Sequence, residues 1–254
     1  MTETSATLAA PEITRVRHEL KRRMLTVASS ERITPNMLRI AFTGEDLADF
    51  VSAAPDDHVK LFVPDGDGEP ARRDYTPRRY DAAARSLLVD FALHDAGPAT
   101  QWALNAQPGD TLEIGGPRGS RVISGDIAHW LLIADETGLP AVGRRLEEAP
   151  AGTPITTLVA VPGAADEQVF ETAAEHDPLW LHRDPANAAD PAPFLEKLES
   201  ISLPPATFVW IAAEGSVTRA IRSYLLEERG HPLTWLKASG YWVMGKADAT
   251  EKFD

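Results

Sequence analysis

Residues 73–78 bring together three groups that a flat, phosphorylated ligand needs. The stretch holds a cation at Arg73, an aromatic ring at Tyr75 and a hydroxyl at Thr76, before Pro77 ends or edges a strand. In a strand, Arg73 and Tyr75 share one face, and the break at Pro77 can turn Thr76 toward the same ligand. An arginine suits a phosphate, a tyrosine ring suits a conjugated ring system, and a hydroxyl suits a ring nitrogen. The stretch therefore suits a flavin nucleotide, and the alternative for these residues alone is an ordinary polar strand end.

Two further segments offer backbone groups to a pyrophosphate. A short helix is predicted after residue 97 with Pro98 in its first turn, and the start of a helix presents free N–H groups. The turn at residues 115–120 is rich in glycine, which permits close backbone approach, and it carries Arg118. Each turn alone is a weak signal, but three such sites in one domain favour a shared ligand.

The elements that carry these sites alternate apolar and polar residues over short runs. Leu25 and Val27 begin the pattern, which recurs between turn-forming segments as far as residue 93. Short alternating strands separated by turns predict a closed antiparallel β-barrel, here of six strands. Residues 1–18 are small, polar and unpatterned, and we expect a loose tail there.

From residue 125 the pattern changes to strand–helix units. Residues 130–134 form a continuous apolar run, as a buried parallel strand does, and Pro140 lies in the first turn of the helix that follows. Repeated units of this kind predict an α/β domain with an open parallel sheet that binds a nucleotide at the carboxyl ends of its strands. The Gly-x-Gly-x-x-Gly fingerprint is absent from the sequence. Asp135 and Glu136 disfavour a phosphate at that helix start, so we expect the phosphates nearer Thr137 or along the sheet edge.

Composition limits the classes of function. The chain of 254 residues suffices for two domains, and its formal net charge of −13 argues against nucleic acid or an anionic membrane as the main partner. Any anionic ligand therefore needs a local basic patch. Cysteine is absent and the seven histidines show no metal-ligand spacing, so we expect no disulfide and no protein-bound metal. No apolar run reaches the length of a membrane span, and the N-terminus lacks a secretory pattern, so we expect a cytoplasmic protein.

Short motifs recur along the chain in a specific order. They are His-Val-Lys-Leu-Phe at 58–62, Arg-Asp-Tyr-Thr at 73–76, Asp-Phe-Ala-Leu-His at 90–94, Gly-Pro-Ala at 97–99, Trp-Ala at 102–103, Gly-Pro-Arg-Gly-Ser at 116–120, Asp-Glu-Thr-Gly-Leu-Pro at 135–140, Trp-Leu-His-Arg at 180–183, Ala-Glu at 213–214 and Gly-Tyr-Trp at 240–242. In these motifs the chain resembles the siderophore-interacting proteins, flavin-dependent ferric-siderophore reductases of the ferredoxin–NADP reductase superfamily. The resemblance covers nearly the whole chain after about residue 20.

The resemblance implies FAD in the barrel domain, which we place at residues 19–124, and NADPH or NADH in the parallel-sheet domain at residues 125–254. The residues that we assign to FAD are Arg73, Tyr75, Thr76, Asp90, His94, Pro98, Ala99, Thr100, Trp102, Gly116, Pro117, Arg118, Gly119 and Ser120. The residues that we assign to the nicotinamide nucleotide are Thr137, Gly138, Arg183 and Glu214, with Arg183 for a 2′-phosphate. In the family a basic cluster beside the flavin receives the anionic ferric chelate, and our candidates here are Lys60, Arg118, Arg121 and Lys246.

Two residues depart from the family pattern. The family often has alanine where this chain has Gly138, and we expect that glycine to loosen the helix start slightly. It often has glycine where this chain has Ala213, and the added methyl group is expected to narrow the approach of the nicotinamide nucleotide.

The reaction that the resemblance implies is hydride transfer from a nicotinamide to FAD, followed by single-electron transfer to iron(III) in its chelate. Iron(II) binds hard oxygen ligands more weakly, so reduction releases the metal. The cofactor supplies this chemistry, so no acid–base residue is assigned. The alternatives are a ferredoxin-fed or general flavin reductase, and a non-catalytic cytoplasmic protein that binds ferric siderophores. We expect a monomer without a nucleic-acid or membrane partner.

Overall fold

The computed structural model describes residues 9–66, 68–94 and 97–253. Its first element is the strand β1, Glu12–Arg17, which pairs antiparallel with β9, Gly119–Ser124, in a two-stranded ribbon. The prediction of a loose tail is therefore wrong for β1, while residues 1–8 lie outside the described part of the chain. Every residue of β1 is exposed, so no alternation of apolar side chains marked it in the sequence.

An antiparallel sheet forms most of the first half of the chain. Its strands pair in the order β5-β4-β8-β2-β3-β7-β6, so seven strands share it where we predicted six. Alternation places Leu25 and Val27 in the core while Met24 and Thr26 face outward. Closure of this sheet into a six-stranded barrel stays a prediction. The strands are β2 Arg22–Thr34, β3 Met37–Thr43, β4 Val59–Val63, β5 Ala71–Tyr75, β6 Arg79–Asp81, β7 Ser86–Ala92 and β8 Thr111–Gly115.

The helix α1, Pro98–Asn105, packs against this sheet and begins at the proline that the sequence placed in its first turn. Its inner side buries Ala99 and Ala103 in the core of the sheet. Trp102 lies parallel to Phe42, with ring centroids 6.1 Å apart. These contacts fix the helix so that its first turn stays at one end of the sheet.

A second sheet begins after residue 128. Its strands pair in the order β12-β11-β10-β13-β14-β15; β10 to β14 are parallel, and β15 is antiparallel to β14. The predicted apolar run is the central strand β10, which is buried along nearly its whole length. The strands are β10 His129–Ala134, β11 Pro154–Val161, β12 Glu175–His182, β13 Thr207–Glu214, β14 Leu236–Trp242 and β15 Glu251–Lys252.

Helices cover both faces of the second sheet. The helix α2, Leu139–Glu148, packs on one face, and α3, Ala192–Glu199, and α4, Gly215–Ser223, pack on the other. The strand order reverses between β10 and β13, which places a topological switch point at their carboxyl ends. A nucleotide site is expected in the crevice at such a point. In the described part of the chain, none of the helices has both the length and the apolar character that a membrane crossing requires.

Polar contacts join the two sheets. The Arg144 guanidinium on α2 donates to the Ser52 hydroxyl at 2.7 Å and to the Ser52 and Pro77 carbonyl oxygens at 3.0 and 3.2 Å. On another side, the Asn36 backbone and side-chain amides donate to the two carboxylate oxygens of Asp166 at 2.8 and 2.9 Å. Because the partners come from the two halves of the chain, these bonds fix the width of the cleft between them.

Candidate functional site: a cleft between the two sheets

A cleft of about 880 Å³ lies between the antiparallel sheet and the second sheet. This volume falls in the upper part of the range usual for cofactor sites. Most residues that we assigned to FAD line it, namely Arg73, Tyr75, Thr76, Asp90, His94, Ala99, Thr100, Arg118, Gly119 and Ser120. Pro98 and Trp102 line a separate pocket of about 400 Å³, while Gly116 and Pro117 line neither. The structure therefore brings together three segments that are distant in sequence.

The strand β5 delivers the ring and the cation of residues 73–78. Tyr75 is half-buried with its ring centroid 4.5 Å from that of Phe91, and burial raises the pKa of Tyr75, so the phenol stays neutral. Among the described residues, the Arg73 guanidinium donates only to the neighbouring Arg72 carbonyl oxygen, at 2.8 Å. Thr76 is buried at the end of the strand and also reaches the cleft. Most Arg73 donors thus have no partner in the described part of the chain and can bind an anionic ligand.

The start of α1 is open toward the cleft. Its N-cap residue, Gly97, provides no side-chain hydrogen bond, and a Cβ built there would meet no atom within 4 Å. Ala99 and Thr100 in the first turn line the cleft. Because the first N–H groups of a helix lack partners within it, this end can hold a phosphate group. The open helix start, the free Arg73 and the Tyr75 ring fit the pyrophosphate and flat ring of FAD.

Two residues that we assigned to FAD have structural partners instead of free polar atoms. Both carboxylate oxygens of the buried Asp90 accept from Arg39, each at 2.7 Å. The buried Ser120 hydroxyl donates to Asp57 at 2.6 Å and lies 2.7 Å from the His18 ring nitrogen. These side chains shape the wall of the cleft, and their polar groups are already satisfied.

Basic residues from several segments line the same cleft. Of the chelate candidates, Arg118, Arg121 and Lys246 line it. Sequence reasoning missed Arg15 and Arg17, which β1 carries to the cleft with Arg15 directly opposite Arg121. Like charges on opposite strands repel, which favours an anion between them. None of these five side chains forms an ion pair with a residue in the described ranges.

Lys60 differs from the other chelate candidates because it has acidic partners. Its Nζ lies 2.9 Å from an Asp74 carboxylate oxygen and 3.6 Å from an Asp248 carboxylate oxygen. Asp74 is opposite Lys60 on the neighbouring strand, whereas Asp248 comes from the C-terminal segment. Both acids line the cleft, and Lys60 contacts them without being among the lining residues.

A buried ion pair joins the halves of the cleft wall. The Lys237 ammonium on β14 lies 2.5 Å from the Asp56 carboxylate, which also accepts from the Trp210 indole N–H at 3.1 Å. Asp56 precedes β4, so the pair links the first half of the chain to the second sheet. Lys237 is a further cation in the cleft that the sequence reading missed, since a lysine in an apolar strand showed no partner.

The switch point of the second sheet is acidic. Asp135 accepts from the Thr137 backbone N–H at 2.9 Å and from its hydroxyl at 2.6 Å, and through its other oxygen from the Trp242 indole at 2.8 Å. Glu136 lines the cleft beside Thr137. Burial, and then the neighbouring Asp135 charge, raise the pKa of Glu136 to about 7. The Trp242 ring, which the sequence reading did not assign to the site, lies parallel to that of His94 across the cleft, with centroids 6.3 Å apart.

Arg183 and Glu214, which we assigned to the nicotinamide nucleotide, lie beside this acidic site. The buried Arg183 guanidinium lies 2.9 Å from a Glu136 carboxylate oxygen, and its Nε and Nη1 atoms have no partner among the described residues. Glu214 caps α4, where its carboxylate accepts from the Ser216 and Val217 backbone N–H groups at 2.6 and 3.1 Å. Of the assigned nucleotide residues, Thr137 alone is among those that line the cleft.

The two departures from the family pattern lie close together at the switch point. Gly138 has ordinary helical dihedral angles, but an added Cβ would lie 2.4 Å from the Ala212 carbonyl oxygen. Close packing of α2 on β13 therefore requires glycine at this position. The Ala213 side chain is buried in the core on the side of α3 and α4, so its methyl group points away from the crevice that it was expected to narrow.

Comparison with known proteins agrees with the motifs. The family model described as Siderophore-interacting protein matches residues 127–245, and that described as Siderophore-interacting FAD-binding domain matches residues 26–70 and 63–121. The chain is 36% identical over 250 residues to the NADPH-dependent ferric-chelate reductase of Escherichia coli, an alignment that covers 90% of this chain and 95% of the relative. It is 30% identical to the ferric vibriobactin reductase ViuB of Vibrio cholerae, which covers 88% of this chain and 90% of the relative.

A solved structure has the same fold over nearly the whole chain. It is that of a siderophore utilization protein from T. fusca, with a TM-score of 0.87 and 37% sequence identity. The superposition covers 94% of this chain and 98% of that one.

Proposed function

The chain belongs to the siderophore-interacting protein family, and we propose that its cleft reduces ferric siderophores with electrons that pass from NADPH through FAD. The observation that carries this proposal is one cleft that unites three features. They are the flavin segments, basic side chains without an ion pair to any described residue, and the switch point of the second sheet. The activities named for the Escherichia coli and Vibrio cholerae relatives support it.

FAD, when bound, allows a donor of two electrons to reduce iron(III), which accepts one electron at a time. We assign its pyrophosphate to Arg73 and the N–H groups at the start of α1, because both offer donors at the cleft that no described residue occupies. We assign its ring system to Tyr75, whose neutral, half-buried side chain offers a flat apolar surface. The change of sheet between Ser124 and His129 supports our division into an FAD domain at 19–124 and a nucleotide domain at 125–254.

The substrate is proposed to be an anionic ferric chelate. The protein as a whole is acidic, so a local group of cations is what attracts such a ligand. Arg118, Arg121 and Lys246 meet this requirement because they line the cleft without an acidic partner in the described chain. Lys60 joins them once its carboxylate partners move aside. A closed six-stranded barrel and a cytoplasmic monomer remain predictions.

The electron donor is proposed to bind at the switch point. NADPH is the donor named for the Escherichia coli relative. Because Glu136 already neutralises Arg183, we assign the phosphates of the donor to the region of Thr137. The Glu136 carboxylate offsets the charge of Arg183, so a 2′-phosphate at Arg183 should bind more tightly below the pKa of Glu136, about 7, than above it.

The test is the visible spectrum of the purified protein loaded with FAD. Anaerobic NADPH is expected to bleach the flavin, and a ferric chelate added next is expected to restore the colour while a ferrous-specific dye traps iron. Parallel samples with NADH or reduced ferredoxin identify the donor. Flavin that no donor bleaches, together with tight chelate binding, would instead support the non-catalytic binding protein.

A variant tests the site assignment. Arg118→Met is expected to raise KM for an anionic ferric chelate about tenfold or more, because a charge-assisted contact typically contributes about 1.5–3 kcal/mol. KM is compared on FAD-loaded protein, because Arg118 is also among the residues that we assign to FAD. Arg222→Met on α4, outside the cleft, is the matched control. Equal KM values for Arg118→Met and wild type would contradict the assignment.

A further inference from the structure

The chain returns across the cleft after β14. We call residues 243–250, which connect β14 to β15, the C-terminal strap. Its beginning is held by the Met244 backbone N–H, which donates to Glu214 at 3.1 Å, and by a bridge between Val243 and Lys246. Its end is held where β15 pairs with β14 and where Glu251 forms an ion pair with Arg219. Between these anchors, residues 247–250 line the cleft.

Asp248 is where the strap reaches the antiparallel sheet. One of its carboxylate oxygens lies 3.6 Å from Lys60 Nζ, and Asp74 contacts the same ammonium at 2.9 Å. The side chains of Lys60 and Asp248 are 33% and 45% exposed, so water and a ligand can reach the contact. Because the two acids line the cleft and contact Lys60, an anion that binds Lys60 must compete with their carboxylates.

The backbone at Asp248 is unusual for a residue with a side chain. Its φ is 51°, in the left-handed region that glycine adopts most readily. The strap uses glycine for the same conformation at Gly245, where φ is 74°. Position 248 thus holds a carboxylate in a conformation that glycine adopts with less strain, and this carboxylate contacts Lys60.

We propose that Asp248 is a specificity-determining residue that occupies Lys60 in the free protein and is displaced from it by an anionic ferric chelate. This inference rests on the proposed function, in which Lys60 belongs to the chelate site. The ligand replaces one carboxylate with its own negatively charged oxygens, so the strap moves away as the chelate binds. A neutral chelate has no charge with which to compete and leaves the contact in place.

The test measures binding to the FAD-loaded protein without turnover. Gallium(III) replaces iron(III) because it has a similar charge and size but is not reduced under these conditions. Titration calorimetry compares a negatively charged tris-catecholate complex of gallium with a neutral tris-hydroxamate complex. Asp248→Asn is the chosen variant, because asparagine keeps the shape of the side chain and tolerates a positive φ.

Asp248→Asn is expected to lower Kd for the anionic complex about two- to fivefold, the range that a partly exposed ion pair supports. The Kd for the neutral complex should not change. Asp126→Asn removes the same charge from an exposed aspartate outside the cleft, and it should change neither value. Equal behaviour of Asp248→Asn and Asp126→Asn would overturn the proposal.

Lys60→Met separates this inference from the function on which it rests. If Lys60→Met weakens binding of the anionic complex and cancels the gain from Asp248→Asn, the competition for Lys60 is supported. If the gain is as large in the Lys60→Met background as in wild type, Asp248 acts by general repulsion and the proposal fails. If Lys60→Met binds the anionic complex as wild type does, the assignment of Lys60 to the chelate site fails as well.

Discussion

Glu136→Gln should stabilise the protein at alkaline pH and lose that advantage at acidic pH. Glu136 is buried at the switch point beside Asp135, and its pKa is raised from 4.5 to about 7. A carboxyl group whose pKa is higher in the folded state lowers the free energy of unfolding as pH rises. The loss begins near the unfolded-state pKa and is complete above the folded-state pKa. Glutamine resembles the protonated acid at every pH and keeps an oxygen that can accept from Arg183.

The size of the effect follows from the shift in pKa. The pKa of Glu136 rises from 4.5 in the unfolded chain to about 7 in the folded protein. Ionisation therefore destabilises the folded state by about 3 kcal/mol at pH 8.5 and by about 1 kcal/mol at pH 5.5. The difference in the free energy of unfolding between Glu136→Gln and wild type should therefore grow by about 2 kcal/mol from pH 5.5 to pH 8.5. Titrating groups that do not interact with Glu136 cancel in this difference because both proteins contain them.

Urea unfolding at fixed FAD concentration across that pH range provides the assay. Glu171→Gln is the matched control, since Glu171 is exposed and its replacement should give a difference that is flat with pH. A flat difference for Glu136→Gln as well would refute the reasoning, because the carboxyl group would then titrate alike in the folded and unfolded chains.

Three further variants test contacts around the cleft. Arg73→Ala should leave the fold intact but weaken FAD binding about tenfold or more, as equilibrium dialysis can measure; unchanged FAD affinity would argue against the pyrophosphate assignment. Gly138→Ala should lower Tm despite the better helix propensity of alanine, because its Cβ would lie 2.4 Å from the Ala212 carbonyl oxygen. Overpacking of this kind typically costs about 1–3 kcal/mol, and an unchanged or higher Tm would show that α2 can shift to make room for the methyl group. Lys237→Met should lower the free energy of unfolding by about 3–5 kcal/mol, because it leaves the Asp56 carboxylate, whose side chain is only 9% exposed, without its cation. The double variant with Asp56→Asn should recover most of that loss, and equal losses in the single and double variants would contradict a charge effect.

The sequence was most informative where the signal is local. Pro98 and Pro140 each fix the backbone dihedral φ that a first helical turn needs, and α1 and α2 begin at residues 98 and 139. Alternation placed Arg73 and Tyr75 on one face of a strand, and β5 has both of them partly buried at the cleft. These features depend on a few neighbouring residues, so they can be predicted from a short stretch of the sequence.

Features that depend on distant partners were missed. The strand β1 exists because it pairs with β9, more than a hundred residues later, and its own residues carry no burial pattern. The contact of Lys60 with Asp74 follows from hairpin register and could have been found by pairing β4 with β5, but the contact with Asp248 could not. Arg183 was assigned from its place at a strand end, and nothing local indicated that Glu136 would neutralise it.

The ion pairs divide the cations around the cleft into two groups. Lys60, Arg183 and Lys237 each contact at least one carboxylate, as expected in a protein with a net charge of −13. Arg118 and Arg121 have no such partner in the described residues although acids are abundant. An unpaired arginine attracts anions at long range, whereas a paired cation attracts them only after its partner leaves. The anion should therefore first meet the unpaired group beside β9, and the paired cations become available only as the cleft rearranges around it.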